Sequence, residues 1–235
     1  MPGLLDGQVA LVTGASRGIG AATAEALAAS GAHVILTART TAGLEEVEDR
    51  IHASGGTATI APLDLTDPES IGRLAHALSE RWKKLDILVL NAAMLGTLAP
   101  VQHLDAKEFA KIFTLNVSAQ AALIAAFDAL LRQSGKARII GLTSSVGAMP
   151  RAYWGAYGAS KAAFDTLLGS YAEENRNTGR ISVAIVDPGA TRTKMRALAY
   201  PGEDPATLKA PEVVADRILG LLIGGFETGH RIRTD

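Results

Sequence analysis

Cysteine is absent from all 235 residues, which excludes disulfides, thiolate nucleophiles and cysteine-based metal sites and fits a reducing compartment. The five histidines, His33, His52, His76, His103 and His230, stand singly without ligand spacing, so no metal site is expected. Neither sign of charge dominates: 23 basic and 24 acidic residues leave a formal net charge of −1. That balance offers no electrostatic attraction to nucleic acid or an anionic membrane, and neither is expected as a partner. No run of about twenty consecutive apolar residues is evident, and Met1–Gly7 lacks the basic-then-apolar layout of a secretory leader. A cytoplasmic protein is the expectation. Nothing marks a linker either, so with 48% hydrophobic residues a single domain over 1–235 is expected.

What the chain does contain is a steady alternation of short apolar runs and helical patterns. Strands are expected near 8–13, 33–38, 57–63, 86–91, 137–143, 181–187 and 230–234, with helices near 18–30, 41–53, 67–81, 105–133, 157–177 and 211–222. This order predicts an α/β fold: a Rossmann-type, doubly wound parallel sheet of seven strands flanked by helices on both faces. Ligands of such sheets bind beyond the carboxyl ends of the strands, where the strand order reverses. Six candidate residues fall at those ends: Gly14, Arg39, Asp64, Asn91, Ser144 and Pro188, after strands one to six in turn.

The first strand leads into Thr13–Gly20, T-G-A-S-R-G-I-G, and then into the helix-forming Ala21–Ala29. Glycines at 14, 18 and 20 let the backbone turn tightly and approach a pyrophosphate, whose charge is favoured at the positive end of a helix. The spacing differs from the commonest dinucleotide fingerprint, yet strand, glycine turn and helix together predict a nucleotide site. The second strand ends in Thr37-Ala38-Arg39, without the acid that takes the ribose hydroxyls of NAD. Arg39, with Arg17 from the glycine turn, suits a 2′-phosphate instead, so NADP(H) is the preferred cofactor and NAD(H) the second choice. Further along, Tyr157 and Lys161 in W-G-A-Y-G-A-S-K are one helical turn apart on one face. An ammonium there would favour the phenolate and bring the tyrosine's pKa down toward the working pH, which makes the pair a proton-transfer device.

With these residues in view, the chain resembles the short-chain dehydrogenase/reductase family over essentially its full length. The motifs are T-G-A-S-R-G-I-G, Asp64 in L-D-L-T-D, N-A-A at Asn91–Ala93, Asn116 in L-N-V, the strand-five serine, Y-G-A-S-K, and D-P-G-A-T-R-T at Asp187–Thr193. T-S-S-V-G at Thr143–Gly147 and E-D-P-x-x-L-K at Glu203–Lys209 look most like a bacterial branch close to ketoacyl reductases. The resemblance implies that Tyr157 protonates a carbonyl oxygen, or deprotonates an alcohol, as hydride passes to or from the nicotinamide. It implies that Lys161 lowers the tyrosine's pKa and holds the nicotinamide ribose, and that Asn116 distorts its helix and holds a relay water. Ser144 would hydrogen-bond the substrate oxygen, at the family's commonest spacing before the tyrosine, with Ser145 as the fallback. Gly14, Ser16, Gly18 and Gly20 would form the phosphate turn, Arg17 and Arg39 would meet the 2′-phosphate, Asp64 would stand on the adenine side, and Ile19 and Leu65 would touch the cofactor through backbone or apolar surface. Asn91 and Ala92 would lie on the adenosine side, and Pro188, Gly189 and Thr193 would face the nicotinamide carboxamide.

The substrate pocket is expected to take in Met94, Leu95, Met149, Arg151, Tyr153, Trp154 and 192–201, a mostly apolar lining for a small carbonyl or alcohol substrate. The stretch Thr191–Lys209 reads as a lid. Helices 105–133 and 157–177 carry apolar residues on more than one face, among them Leu123, Ile124, Phe127, Phe164, Leu167 and Leu168, which predicts a homodimer or homotetramer. Two readings compete with an oxidoreductase: a cofactor-binding sensor without useful turnover, and a nucleotide-sugar epimerase or dehydratase, for whose larger substrate domain no residues remain.

Overall fold

Val9–Thr13 and Ile87–Leu90 are buried at every position, because a central parallel strand is covered on both faces and has no side to show to water. In the computed structural model, which describes residues 3–234, they are β1 (Val9–Thr13) and β4 (Ile87–Leu90). The other strands are β2 (His33–Thr37), β3 (Thr57–Ile60), β5 (Ala137–Leu142), β6 (Ile181–Asp187) and β7 (His230–Arg233). All neighbours pair in parallel, in the order β3-β2-β1-β4-β5-β6-β7. Leu11 is in register with Ile35 on one side and with Leu88 on the other, so the winding reverses between β1 and β4.

Helices α1 (Gly18–Ala29), α2 (Thr41–Ala53) and α9 (Pro211–Gly224) cover one face, where Leu27, Val47 and Ile218 pack on Val12, Val34 and Val186. On the other face α3 (Pro68–Arg81), α5 (Ala119–Ser134) and α7 (Gly155–Asn175) bring Leu78, Phe127 and Phe164 onto Leu11, Leu88 and Ile139. Local chemistry sets the helix starts. Asp67 accepts from the backbone N–H of Glu69 and Pro68 follows it, so α3 begins with a side-chain cap and with a residue that has no N–H to satisfy.

The expected helix over 105–133 is interrupted. α4 (Ala106–Phe113) and α5 are joined by a π-helical segment, Thr114–Ser118, in which the N–H of Ala119 reaches the carbonyl of Thr114. Asn116 is at its centre, buried at 1% exposure. The whole stretch Ala106–Ser134 is long and apolar enough by composition to cross a membrane, although it holds no uninterrupted run of about twenty apolar residues. Its apolar side chains, Leu123, Phe127 and Leu131, are packed on the sheet.

The residues expected to require a second subunit are covered within this chain. Leu123, Phe127 and Leu168 are fully buried, and Ile124 and Phe164 nearly so; only Leu167 is partly exposed. The sheet and the neighbouring helices enclose more of α5 and α7 than a one-sided count allows, so these side chains give no argument for assembly. α7 also begins two residues earlier than expected, at Gly155, which puts Tyr157 in its first turn. The 191–209 stretch is not a plain loop: it holds α8 (Lys194–Ala199), and the bridge Thr191↔Lys209 ties its two ends together. The remaining short helix, α6 (Ser145–Ala148), follows β5 directly.

Candidate active site

The turn between β1 and α1 is shaped by how closely its backbone folds on itself. A Cβ on Gly20 would lie 2.3 Å from the carbonyl oxygen of Gly14 and 2.5 Å from Asn91 Nδ2, so only hydrogen fits. Gly14 and Gly18 have φ of 65° and 57°, the left-handed region that glycine occupies without penalty. The turn is buttressed from β4: Asn91 Nδ2 donates to the carbonyls of Thr13 (2.9 Å) and Gly14 (3.3 Å). Thr13 Oγ1 accepts from the N–H groups of Asn91 and Ala92, both at 3.0 Å. Asn91 therefore acts through its amide as a brace for the glycine turn. Thr13 shares that work, a role visible in the sequence only as the residue before the first glycine.

Among the described residues no side chain caps the start of α1, so its first N–H groups face the turn, an arrangement that fits a pyrophosphate. Arg17 is the N-cap residue and Arg39 follows β2; both are exposed, and neither forms a salt bridge among the described residues. Asp64 Oδ1 accepts from the backbone and hydroxyl of Thr66 at 2.9 and 2.8 Å. Those bonds first, with Arg39 nearby, hold its carboxyl below the ordinary carboxylate range. Leu65 is buried, Ile19 and Ala92 are partly so, and Ser16 borders the turn beside Gly43. Across the cleft, Thr193 Cγ2 lies 3.5 Å from where a Cβ on Gly18 would stand, so the glycine turn and the start of α8 face each other. Gly189, with φ of 61°, donates its N–H to Asp187 Oδ1 at 3.0 Å, and the Pro188 carbonyl accepts from the hydroxyls of Thr191 and Thr234.

Tyr157 and Lys161 are both buried, at 7% and 4% exposure, on the side of α7 that meets β5. Lys161 Nζ donates to the carbonyl of Leu142 at 2.7 Å and lies 5.7 Å from the centre of the Tyr157 ring. Burial, aided by Asp187, pushes the phenol above its ordinary pKa, the reverse of the shift expected from the lysine spacing alone. The reason is desolvation: removing water from the phenolate costs more than an ammonium occupied with a backbone carbonyl returns. The same desolvation lowers Lys161 to about 8, with Asp165 opposing it.

A folded pKa below the unfolded one means that the unfolded chain binds more protons above about pH 8, so this group makes stability rise with pH. The rise continues until Tyr157, shifted the other way, begins to subtract stability above its ordinary value near pH 10. Between about pH 7.5 and about pH 9.5, the chain should gain about 2 kcal/mol relative to its Lys161→Met variant. Urea denaturation at the two pH values checks this, and parallel trends would show that Lys161 is not buried as a titrating group.

Asn116 connects two parts of the site. Its Oδ1 accepts from the N–H of Met94, and its Nδ2 donates to the Met94 carbonyl and to Ser160 Oγ, each at 2.9 Å. Ser160 Oγ in turn donates to the Tyr157 carbonyl at 2.8 Å. The asparagine side chain thus locks the segment after β4 to the first turn of α7. Gln120, which no motif signalled, adds a second tie, from the carbonyl of Ala92 (3.1 Å) to that of Leu115 in the π segment (2.9 Å).

Two serines follow β5. Ser144 is the N-cap residue of α6 but makes no side-chain capping bond, so its hydroxyl is not spent on the helix. Ser145 Oγ accepts from Arg151 Nη2 at 3.2 Å. Of the expected pocket residues, Leu95, Trp154 and Met195 gather with Tyr157 in a small apolar cluster that also includes Val146, Leu98 and Ala199. Met149 and Tyr153 stand outside it, 58% and 60% exposed. The 191–209 stretch is pinned by Arg196, which forms a two-bonded pair with Glu203, both bonds at 2.6 Å, and lies 3.7 Å over the Tyr200 ring. Tyr200 reaches Trp154, and Trp154 reaches Tyr157, with ring centres 5.7 and 6.0 Å apart.

A sequence profile of the short chain dehydrogenase family matches residues 8–204. YciK of Escherichia coli K12, named as an uncharacterized oxidoreductase, is 36% identical over 222 residues, spanning 93% of this chain and 87% of the relative. A short chain dehydrogenase structure from Salmonella enterica serovar Typhi superposes with a TM-score of 0.95 at 33% identity, covering 100% of this chain and 98% of the other. A metagenomic short-chain oxidoreductase solved in complex with NADP superposes at 0.84 with 32% identity over 99% of each chain.

Proposed function

This chain belongs to the short-chain dehydrogenase family, and from that premise we propose that it transfers hydride between NADP(H) and a carbonyl compound or secondary alcohol, with Tyr157 as the proton-transfer group. The observation that carries the reading is a convergence: the uncapped glycine turn, two unpaired arginines and the buried Tyr157–Lys161 pair all stand at the carboxyl ends of one sheet. The bound nicotinamide would supply the hydride donor or acceptor. Gly14, Ser16, Gly18, Ile19 and Gly20 would hold the pyrophosphate, and Arg17 and Arg39 the 2′-phosphate. Asp64, Leu65, Asn91 and Ala92 would border the adenosine, Lys161 the ribose hydroxyls, and Pro188, Gly189 and Thr193 the carboxamide. NADP in the metagenomic relative supports the same choice of cofactor here.

For carbonyl reduction, Tyr157 is held in the right state. Burial keeps the proton on its hydroxyl, ready for donation to the carbonyl oxygen, while Ser144 donates a second hydrogen bond to that oxygen. As the phenolate develops, Lys161 is the nearby cation that stabilises it. Asn116 keeps α7 in place against the segment after β4. The direct test is NADPH absorbance against a panel of ketones, aldehydes and oxoacyl thioesters. Tight NADPH binding without turnover of any member would favour the sensor reading. Homodimer or homotetramer assembly is proposed on the family resemblance, and a monomeric mass by light scattering would refute it.

Cofactor choice has its own test. In an Arg39→Ala variant, NADPH should bind roughly tenfold more weakly, while NADH binding should be unchanged, because only the 2′-phosphate loses a charged partner. Equal weakening of both would place Arg39 elsewhere on the cofactor.

A further inference from the structure

Arg151 is an arginine held in place without a counter-ion. Its Nη2 donates to Ser145 Oγ at 3.2 Å and its Nη1 to the Tyr200 hydroxyl at 3.4 Å, and both partners are neutral. Among the described residues it forms no ion pair. Arg196, in the 191–209 stretch, is the opposite case: Glu203 neutralises it and Tyr200 lies beneath it. Glu203 is therefore already paired, while among the described residues the guanidinium of Arg151 is bonded to Ser145 and Tyr200 and to no carboxylate.

The turn that carries Arg151 is built at some cost. Tyr153 has φ of 72°, a left-handed conformation that a bulky side chain rarely takes and that concentrates at functional sites. Two backbone bonds hold it: Ala99 donates to the Tyr153 carbonyl at 3.1 Å, and Trp154 to the Arg151 carbonyl at 3.2 Å. The result holds the guanidinium between Ser145 and Tyr200. In the same segments, Met149, Tyr153 and Leu198 are exposed apolar side chains, 58%, 60% and 67% open, while Trp154, Met195 and Ala199 belong to the apolar cluster that includes Tyr157.

We propose that Arg151 is the anion anchor of the substrate site, and that the substrate is a carbonyl compound with an apolar body and an anionic oxygen group, carboxylate or phosphate. This rests on the oxidoreductase reading and narrows it. A guanidinium fork with two bonds already made to neutral hydroxyls loses little freedom when it meets an anion, and charge-assisted bonds are the stronger kind. Because Arg151 also bonds Tyr200 of the lid, an anion held there would tie the segment after β5 to the lid at the moment substrate is present.

The test measures binding of matched ligands by ligand-observed NMR, with and without saturating NADPH: hexanoate, hexyl phosphate and hexanamide, with the parent chain, Arg151→Gln and Arg151→Lys. At least one anion should bind roughly tenfold more tightly than hexanamide, and that advantage should vanish in Arg151→Gln, with partial recovery in Arg151→Lys. The tighter of the two anions identifies the group. Unchanged NADPH affinity in Arg151→Gln shows that the variant is folded. Anions binding no better than hexanamide, or keeping their advantage in Arg151→Gln, would overturn the proposal. Failure of the parent chain to bind NADPH would instead strike the oxidoreductase reading, and the titrations without cofactor still report on the anchor.

Discussion

Replacing Tyr157 by Phe should lower kcat by roughly a hundredfold to ten-thousandfold, the range for loss of a general acid, while NADPH binds as before. The substitution removes one hydroxyl and nothing else. The ring keeps its packing against Leu95, Val146 and Trp154, and the Tyr157 hydroxyl has no hydrogen-bond partner among the described residues whose loss would disturb the fold. Stability should therefore stay the same or rise slightly, since a buried polar group has gone. Steady-state kinetics and an NADPH titration on the same preparation separate the outcomes. Turnover close to that of the parent would move the proton donor elsewhere, and a matching loss of NADPH affinity would show that Tyr157 serves the cofactor first.

Gly20→Ala should weaken NADPH binding at least roughly tenfold and lower stability by about 1–3 kcal/mol, the usual cost of forcing atoms into a packed site. The new Cβ would meet the Gly14 carbonyl at 2.3 Å and Asn91 Nδ2 at 2.5 Å. Neither can yield easily. The first is backbone, and the second is tied by its own bonds to the carbonyls of Thr13 and Gly14. Relief has to come from the turn opening, which moves the N–H groups of α1 away from the phosphate position. Gly72→Ala in α3 is the control: nothing lies within 4 Å of its added Cβ, and alanine favours a helix by about 1 kcal/mol, so that variant should gain stability. Thermal unfolding with and without NADPH reads both. A Gly20→Ala protein that binds NADPH normally would remove the turn from the cofactor site.

Much of the site could be read from the chain because each piece follows a strand or opens a helix, and both are local signals. Gly14, Arg39, Asp64, Asn91, Ser144 and Pro188 end up at the carboxyl edge of the sheet as expected. Asn116 was legible as a helix distortion only through family resemblance, and its bonds from the π segment run to Met94 and Ser160, far along the chain. Gln120 carried no signal, since a glutamine within a helix is ordinary until something is packed against it. Tyr200 was legible only as one residue of the expected pocket stretch 192–201, without its contacts to Arg151, Trp154 and Arg196.

The sequence by itself determined the elements, their alternation and the placement of chemistry-bearing residues at strand ends, because hydrophobic periodicity and glycine spacing are local properties. Only the tertiary structure decided what those residues experience. Burial in its cluster, and after it the field of Asp187, raises the pKa of Tyr157 although Lys161 is one turn away. Leu123 and Phe127 disappear into one chain rather than waiting for a second, and Arg151 meets Ser145 and Tyr200 but, among the described residues, no acid. Burial and electrostatics depend on groups brought together from distant parts of the chain, and periodicity reports which face of an element is covered without reporting by what.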